Sequence, residues 1–233
     1  MHIKSLLVLA FAVNVISVNQ ASSQVLVTYN FEGATGREPT VSGVEASAVT
    51  ASDFTLVGTN ISTSTDTAFV TTNLTANDQG GALAMARYFG FTLTATDAPL
   101  KLTTFTIEFG GNATTGNSFT SNILVQSSIG GFGGDKPVLS VTPSDFLVSG
   151  SSRTFVTGVV DISGSEFLNL SSIEFQIRFF DNADDANFVD RLNNVSVSAA
   201  TVPEPAALGL ISVFAGIFLI RRSVRRKEAL TQG

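Results

Sequence analysis

Period-two alternation of apolar and polar residues is the feature that most restricts this chain. Ile173, Phe175, Ile177 and Phe179 point one way, while Glu174, Gln176, Arg178 and Phe180 point the other. That pattern places one face of a strand on a core and does not suit an amphipathic helix. Phe89, Phe91, Leu93 and Ala95 alternate in the same way with Gly90, Thr92, Thr94 and Thr96. Val195, Val197 and Ala199 alternate with Ser196 and Ser198. Across residues 100–109 the apolar set moves from even to odd positions at Thr103-Thr104, the slip a β-bulge produces. From Gln24 onward no segment sustains a 3.6-residue period.

Further strands are expected at 25–31, 54–57, 68–72, 122–127, 138–141 and 155–162. Turn chemistry at Gly33/Gly36, 77–81, Gly110-Gly111-Asn112, 130–135 and Asp181-Asn182 separates them. About ten short strands with such turns predict an all-β fold, an antiparallel β-sandwich of jelly-roll type. Phenylalanine, present 19 times, supplies much of its core.

Two absences narrow the chemistry. There is no cysteine, which excludes disulfides, thiolate zinc sites and a thiol nucleophile. The single histidine is His2, in a segment expected to be removed, so Ser-His-Asp catalysis and His-ligated metals are excluded from the mature body. Residues 24–202 carry 7 basic and 17 acidic side chains, a net of −10. Such a body repels phosphate backbones, which argues against nucleic acid as a partner.

Both ends read as addresses. Lys4, an apolar run over 6–18 and the small residues Ala21-Ser22-Ser23 make 1–23 a secretory signal peptide, cut before Gln24. Residues 206–220 are apolar with one hydroxyl, Ser212. As a helix they span roughly 22 Å, near the thickness of a bilayer core. Arg221, Arg222, Arg225, Arg226 and Lys227 follow and stop transfer, leaving the short 228–233 tail in the cytoplasm and the acidic body outside. Immediately before the apolar run, Pro203-Glu204-Pro205 breaks both strand and helix and leaves the backbone extended and accessible.

The order Pro-Glu-Pro, apolar span, arginine-rich end over 201–227 closely resembles the PEP-CTERM sorting signal of bacterial exosortase substrates. The resemblance implies a Gram-negative-type bacterium that makes exopolysaccharide. It also implies an integral-membrane exosortase that recognises Pro203, Glu204 and Pro205, cleavage nearby, and delivery to the cell surface or extracellular matrix.

The body, residues 24–200, is similar to the lectin-like β-sandwich ectodomains of such proteins. The resemblance is carried by Leu26-Val27-Thr28-Tyr29-Asn30-Phe31-Glu32, Ala51-Ser52-Asp53-Phe54, Arg87-Tyr88-Phe89-Gly90-Phe91-Thr92-Leu93 and Leu192-Asn193-Asn194-Val195-Ser196-Val197. Related carbohydrate-binding sandwiches hold a structural Ca²⁺ between acids near both termini. The matched positions are Glu32 and Asn193, the latter an amide in place of the closing acid.

Without His or Cys, an enzyme here would use carboxylates, as glycosidases do. Glu108 and Glu174 lie at outward phases of strong strands, but neither has a second acid two or four residues away on its strand. Asp181-Asn182-Ala183-Asp184-Asp185, followed by Asp190, is the densest acidic run. It lacks the EF-hand register, with Ala183 at the third position and no glycine at the sixth, and reads as a solvated turn. The glycine-rich 130–135 has neither the Lys-Ser/Thr nor the helix of a phosphate loop. Tyr29 and Tyr88 are the only tyrosines and tryptophan is absent, so aromatic platforms for sugars are few. The sequence reads as a non-enzymatic, exported surface protein associated with exopolysaccharide. A dedicated carbohydrate-binding module and a carboxylate-dependent glycosidase are the alternatives.

Overall fold

The computed structural model describes residues 23–31, 37–41, 49–58, 62–63, 68–71, 75–133, 137–182 and 188–200. The signal peptide up to residue 22, Glu32, Pro203-Glu204-Pro205, the 206–220 span and the basic cluster at Arg221, Arg222, Arg225, Arg226 and Lys227 lie outside them. Among the described residues no helix is long and apolar enough to cross a membrane.

Fourteen strands are described: β1 (Ser23–Tyr29), β2 (Thr40–Val41), β3 (Val49–Ala51), β4 (Thr55–Val57), β5 (Ser62–Thr63), β6 (Ala68–Thr71), β7 (Tyr88–Ala95), β8 (Leu100–Asn112), β9 (Ser118–Ser127), β10 (Phe146–Ser149), β11 (Thr154–Asp161), β12 (Leu168–Leu170), β13 (Ser172–Asp181) and β14 (Val189–Ala200). A short α-helix, α1 (Gln79–Ala84), precedes β7, and a single 3-10 turn (Ser165–Phe167) precedes β12. The first sheet runs β11-β8-β14-β1-β2, with β12 added to β8 and β6 and β5 extending from β14. The second runs β10-β9-β13-β7-β3, with β4 also on β7. Every pairing between these strands is antiparallel, and the two sheets form a β-sandwich of jelly-roll type.

The alternation in the sequence becomes the inward face of each sheet. Phe89, Phe91 and Leu93 of β7, Ile173, Phe175, Ile177 and Phe179 of β13, and Val195 and Val197 of β14 are all buried in one core. Phe91 lies at its centre, with ring centroids 4.8 Å from Tyr29, 5.8 Å from Phe54, 6.2 Å from Phe105 and 5.4 Å from Phe175. Tyr29 and Phe105 belong to the first sheet and Phe91 and Phe175 to the second, so this cluster joins the layers. The bulge expected near Thr103 is present. Ser198 faces Thr104 and Ala199 faces Leu102, so Thr103 is the extra residue.

Three local expectations change. Gly110-Gly111-Asn112 is not a turn, because β8 continues through it between β11 and β14. A Cβ on Gly110 would lie 2.1 Å from the Thr154 carbonyl oxygen, and one on Gly111 2.0 Å from that of Val189, so only glycine admits both neighbours. The strand expected over 138–141 reduces to single bridges, Leu139 to Val125 and Thr142 to Val159. Pro137 and Pro143 bracket it and withhold the donors a longer ladder needs. Residues 77–81 start α1 instead of a simple turn, with Asp78 Oδ1 accepting from the Gly81 N–H at 2.7 Å as the N-cap.

Two predictions come from this core. Phe91→Ala empties a space walled by four aromatic rings and should destabilise the fold by about 3–5 kcal/mol in chemical denaturation. Tyr29 is wholly buried, and its hydroxyl donates to the Ser52 carbonyl oxygen at 2.6 Å. Burial, helped by the charge of Asp53, raises its pKa above the ordinary tyrosine value. Above pH of about 10 the unfolded chain therefore releases a proton the folded chain keeps, and stability falls as pH rises. Denaturation midpoints measured across that range should show the decline, and Tyr29→Phe should flatten it.

Candidate functional site

The outward face of β13 carries Glu174, Gln176, Arg178 and Phe180, as the alternation requires. The sequence reads this face as solvated, yet Gln176 and Arg178 are buried. Two segments cover it. Ala82, Leu83 and Met85 of α1 and the residue after it pack with Ala76, Leu124, Val138 and Phe180. The connection after β9 crosses nearby, with Gln126 Nε2 donating to the Gly133 carbonyl oxygen at 3.1 Å.

Beneath this cover runs a polar ladder. Arg178 Nη1 donates to Gln126 Oε1 at 2.9 Å and Nη2 to Gln176 Oε1 at 2.8 Å. Gln176 Nε2 in turn donates to Glu174 Oε1 at 3.0 Å. Gln126 and Gln176 are direct cross-strand neighbours, which brings both amides within reach of one guanidinium. Burial lowers the Arg178 pKa from its ordinary value. The buried Nε meets no hydrogen-bond acceptor. The guanidinium carbon instead stands 4.9 Å from the centre of the Tyr88 ring, a cation–π contact.

Tyr88 owes its position to Gly90, two residues along the same face of β7. A Cβ on Gly90 would come within 3.2 Å of the Tyr88 ring and of the Phe175 carbonyl oxygen, so the missing side chain is the seat of that ring. Leu56, Thr75, Met85, Arg87, Tyr88 and Arg178 line a shallow open depression beside it. It joins an aromatic face, a guanidinium held by amides and a second arginine. This chemistry suits a ligand with hydroxyl groups and apolar C–H faces.

The other sequence candidates are dispersed. Tyr29 is in the core and offers no surface. Glu108 projects from the first sheet, where Asn193 Nδ2 donates to its Oε2 at 2.6 Å. Glu174 projects from the second. Outward residues of opposite sheets are separated by more than the roughly 10 Å sheet spacing, beyond the carboxylate pairs of either glycosidase class. Asn193, matched to the closing calcium position, thus engages Glu108. Its partner Glu32 is outside the described residues.

The acidic run corrects the reading most. Asp181 and Asp190 are buried, not solvated, because both continue the inward phase of their strands. Asp190 Oδ1 accepts from Ser121 Oγ at 2.5 Å, and Thr75 Oγ1 donates to Asp181 Oδ2. Burial above all, with the nearby Asp181 carboxylate, raises the Asp190 pKa well above the usual range, against the lowering effect of Ser121. Asp184 and Asp185 lie outside the described residues. Among those described, no three His, Cys, Asp or Glu side chains converge. Sequence reasoning missed Gln126 and the α1 cover, since neither an isolated amide nor a glycine-rich six-residue helix leaves a periodic signal.

No protein-family model matches the chain, and no curated protein matches it. Among solved structures, a mutant of a family 29 carbohydrate-binding module is similar over 80% of this chain and 99% of that one, at 14% identity and a TM-score of 0.33. Another mutant of such a module, complexed with mannohexaose, is similar over 77% and 92%, at 13% identity and a TM-score of 0.31. A third, complexed with cellulohexaose, covers the same shares at 14% identity and a TM-score of 0.32. Likeness this distant transfers no residue roles.

Arg178→Met should leave the side-chain oxygens of Gln126 and Gln176 without their donor under α1. At about 1–3 kcal/mol for each of the two unsatisfied groups, urea denaturation should show a loss of roughly 2–6 kcal/mol.

Proposed function

We propose that this chain is an exported, non-catalytic surface protein whose sandwich binds exopolysaccharide at the Tyr88–Arg178 depression. The observation that carries the reading is the Tyr88 ring itself, held against Arg178 and open to the depression on the outside of the second sheet. An aromatic face packs against the C–H face of a sugar ring, and the buried Arg178, held by its two amides, fixes that ring in place. Arg87 adds a second cation to the lining. The separation of Glu108 from Glu174 favours binding over hydrolysis.

Export and anchoring rest on the ends of the sequence. The signal peptide directs the body across the inner membrane, and the 206–220 span holds the precursor there. An exosortase then recognises Pro203, Glu204 and Pro205 and releases the body to the cell surface or matrix. The body carries its net −10 on the outside, and the basic cluster after residue 220 remains inside.

Two experiments test the two halves. A glycan array with neutral and acidic polysaccharides should find a ligand. Tyr88→Ala should weaken its binding by about tenfold, the ~1.4 kcal/mol of one aromatic contact. Gly90→Ala, which crowds the ring without removing it, should weaken binding in the same direction. A silent array, or a ligand indifferent to both substitutions, overturns the binding site. In the native host, replacing Pro203-Glu204-Pro205 by alanines should accumulate uncut precursor in the membrane. Normal processing of that variant overturns the sorting assignment.

A further inference from the structure

At one end of the sandwich the space between the sheets is polar. Asp181 ends β13 and Ser121 stands directly opposite it on β9. Both point inward, in phase with Phe179 and Ile123. Asp190 enters the same space from β14 of the other sheet, two residues before the buried Leu192. Asp181 is 1% exposed and Asp190 0%, so bulk water hydrates neither carboxyl.

Asp190 Oδ1 accepts from Ser121 Oγ, while Oδ2 receives no N–H or O–H from a neighbouring residue. The Asp181 carboxyl lies within hydrogen-bonding reach of Asp190. Two ionised carboxylates are acceptors only, so a bond between them needs a proton of their own. The rest of the surroundings brings no compensating charge. Gly111 of β8 and Val70 of β6 stand opposite Asp190 in register, and neither residue titrates. Thr75 gives its hydroxyl to Asp181, and the Asp181 N–H donates to the Ala76 carbonyl oxygen at 3.0 Å. Arg191, next along β14, takes the outward phase and donates Nε to Asn112. Arg178 takes the outward phase of β13, with both amides. Burial, opposed by Ser121 and assisted by the Asp181 charge, holds the Asp190 carboxyl well above the ordinary range.

We propose that Asp181 and Asp190 hold one proton between them at neutral pH, and that this proton clamps β13 of one sheet to β14 of the other in a latch that opens as pH rises. In the latched state the pair carries one negative charge and one hydrogen bond across the layers. Loss of the proton to solvent leaves two buried charges facing each other, and their repulsion drives the ends of β13 and β14 apart. An aspartate in the unfolded chain releases its proton near pH ~3.9, whereas the folded pair keeps one to higher pH. The latch therefore stabilises the fold fully below about pH 4, and the gain declines as pH rises until the folded pair ionises. The body is firmest in mildly acidic surroundings. This latch is independent of the glycan reading.

Infrared spectra of the full chain at neutral pH should show the carbonyl band of a protonated carboxylic acid, and Asp190→Asn should remove it. In urea denaturation from about pH 4 to 9, the folding constant of the parent should fall by up to about tenfold per pH unit, the change one proton produces. In Asp190→Asn the amide can donate to Asp181 at every pH. That fall should therefore disappear, and the variant should be more stable than the parent above neutrality. Ser121→Ala removes a donor that favours the ionised form, so it should move the fall to higher pH, which keeps the test open if the first variant fails to fold. Glu108→Gln should keep the band and the profile of the parent. Absence of the acid band in the parent at neutral pH overturns the proposal. So do an Asp190→Asn profile parallel to the parent's and a fall that Ser121→Ala leaves unmoved.

Discussion

The phenylalanine packing between the sheets decides where everything else in this protein stands. With no cysteine in the chain, the layers are held by close contact of rings such as Phe91, Phe105 and Phe175. Because strand side chains alternate, burying Phe175, Ile177 and Phe179 forces Gln176 and Arg178 to the opposite face. A slip of one residue in β13 would bury Arg178 among phenylalanines and expose four apolar side chains. The position of the Tyr88 depression is thus a by-product of core packing, fixed before any ligand is considered.

Much of the fold was legible because alternation is written in single strands. β7, β13 and β14 could be read from their own residues, and the bulge at Thr103 from a change of phase. What the sequence hid depends on partners distant along the chain. Nothing local says that the outward face of β13 is roofed by α1, whose Gly80 and Gly81 mask its helical character. Nothing local says that Gly110 and Gly111 continue a strand, since their need for glycine comes from Thr154 and Val189. The candidate site was half visible. Tyr88 stood out as one of two tyrosines, whereas Gln126 gains meaning only through its register with Gln176.

The acidic run shows the same limit for charge. Asp181 and Asp190 look like two members of one polar stretch, but their strands lie in different sheets. A carboxylate's environment follows its phase on the strand, not the polarity of its sequence neighbours. Arg178 and Asp190 also resolve burial in opposite ways. The cation is wrapped by neutral oxygens and an aromatic face, while the acid receives one hydroxyl and has its pKa raised by burial and by Asp181 beside it.

The ladder between the first and last strands has a consequence in time. Ser23 pairs with Ala200 and Tyr29 with Val195, so β14 stands between β1 and β8 near the middle of its sheet. Until residues near 200 leave the ribosome, β1 and β8 have no strand between them and the aromatic core lacks one wall. Contacts so distant in sequence close slowly. A chain arranged in this way stays without its complete core for almost the whole of its synthesis.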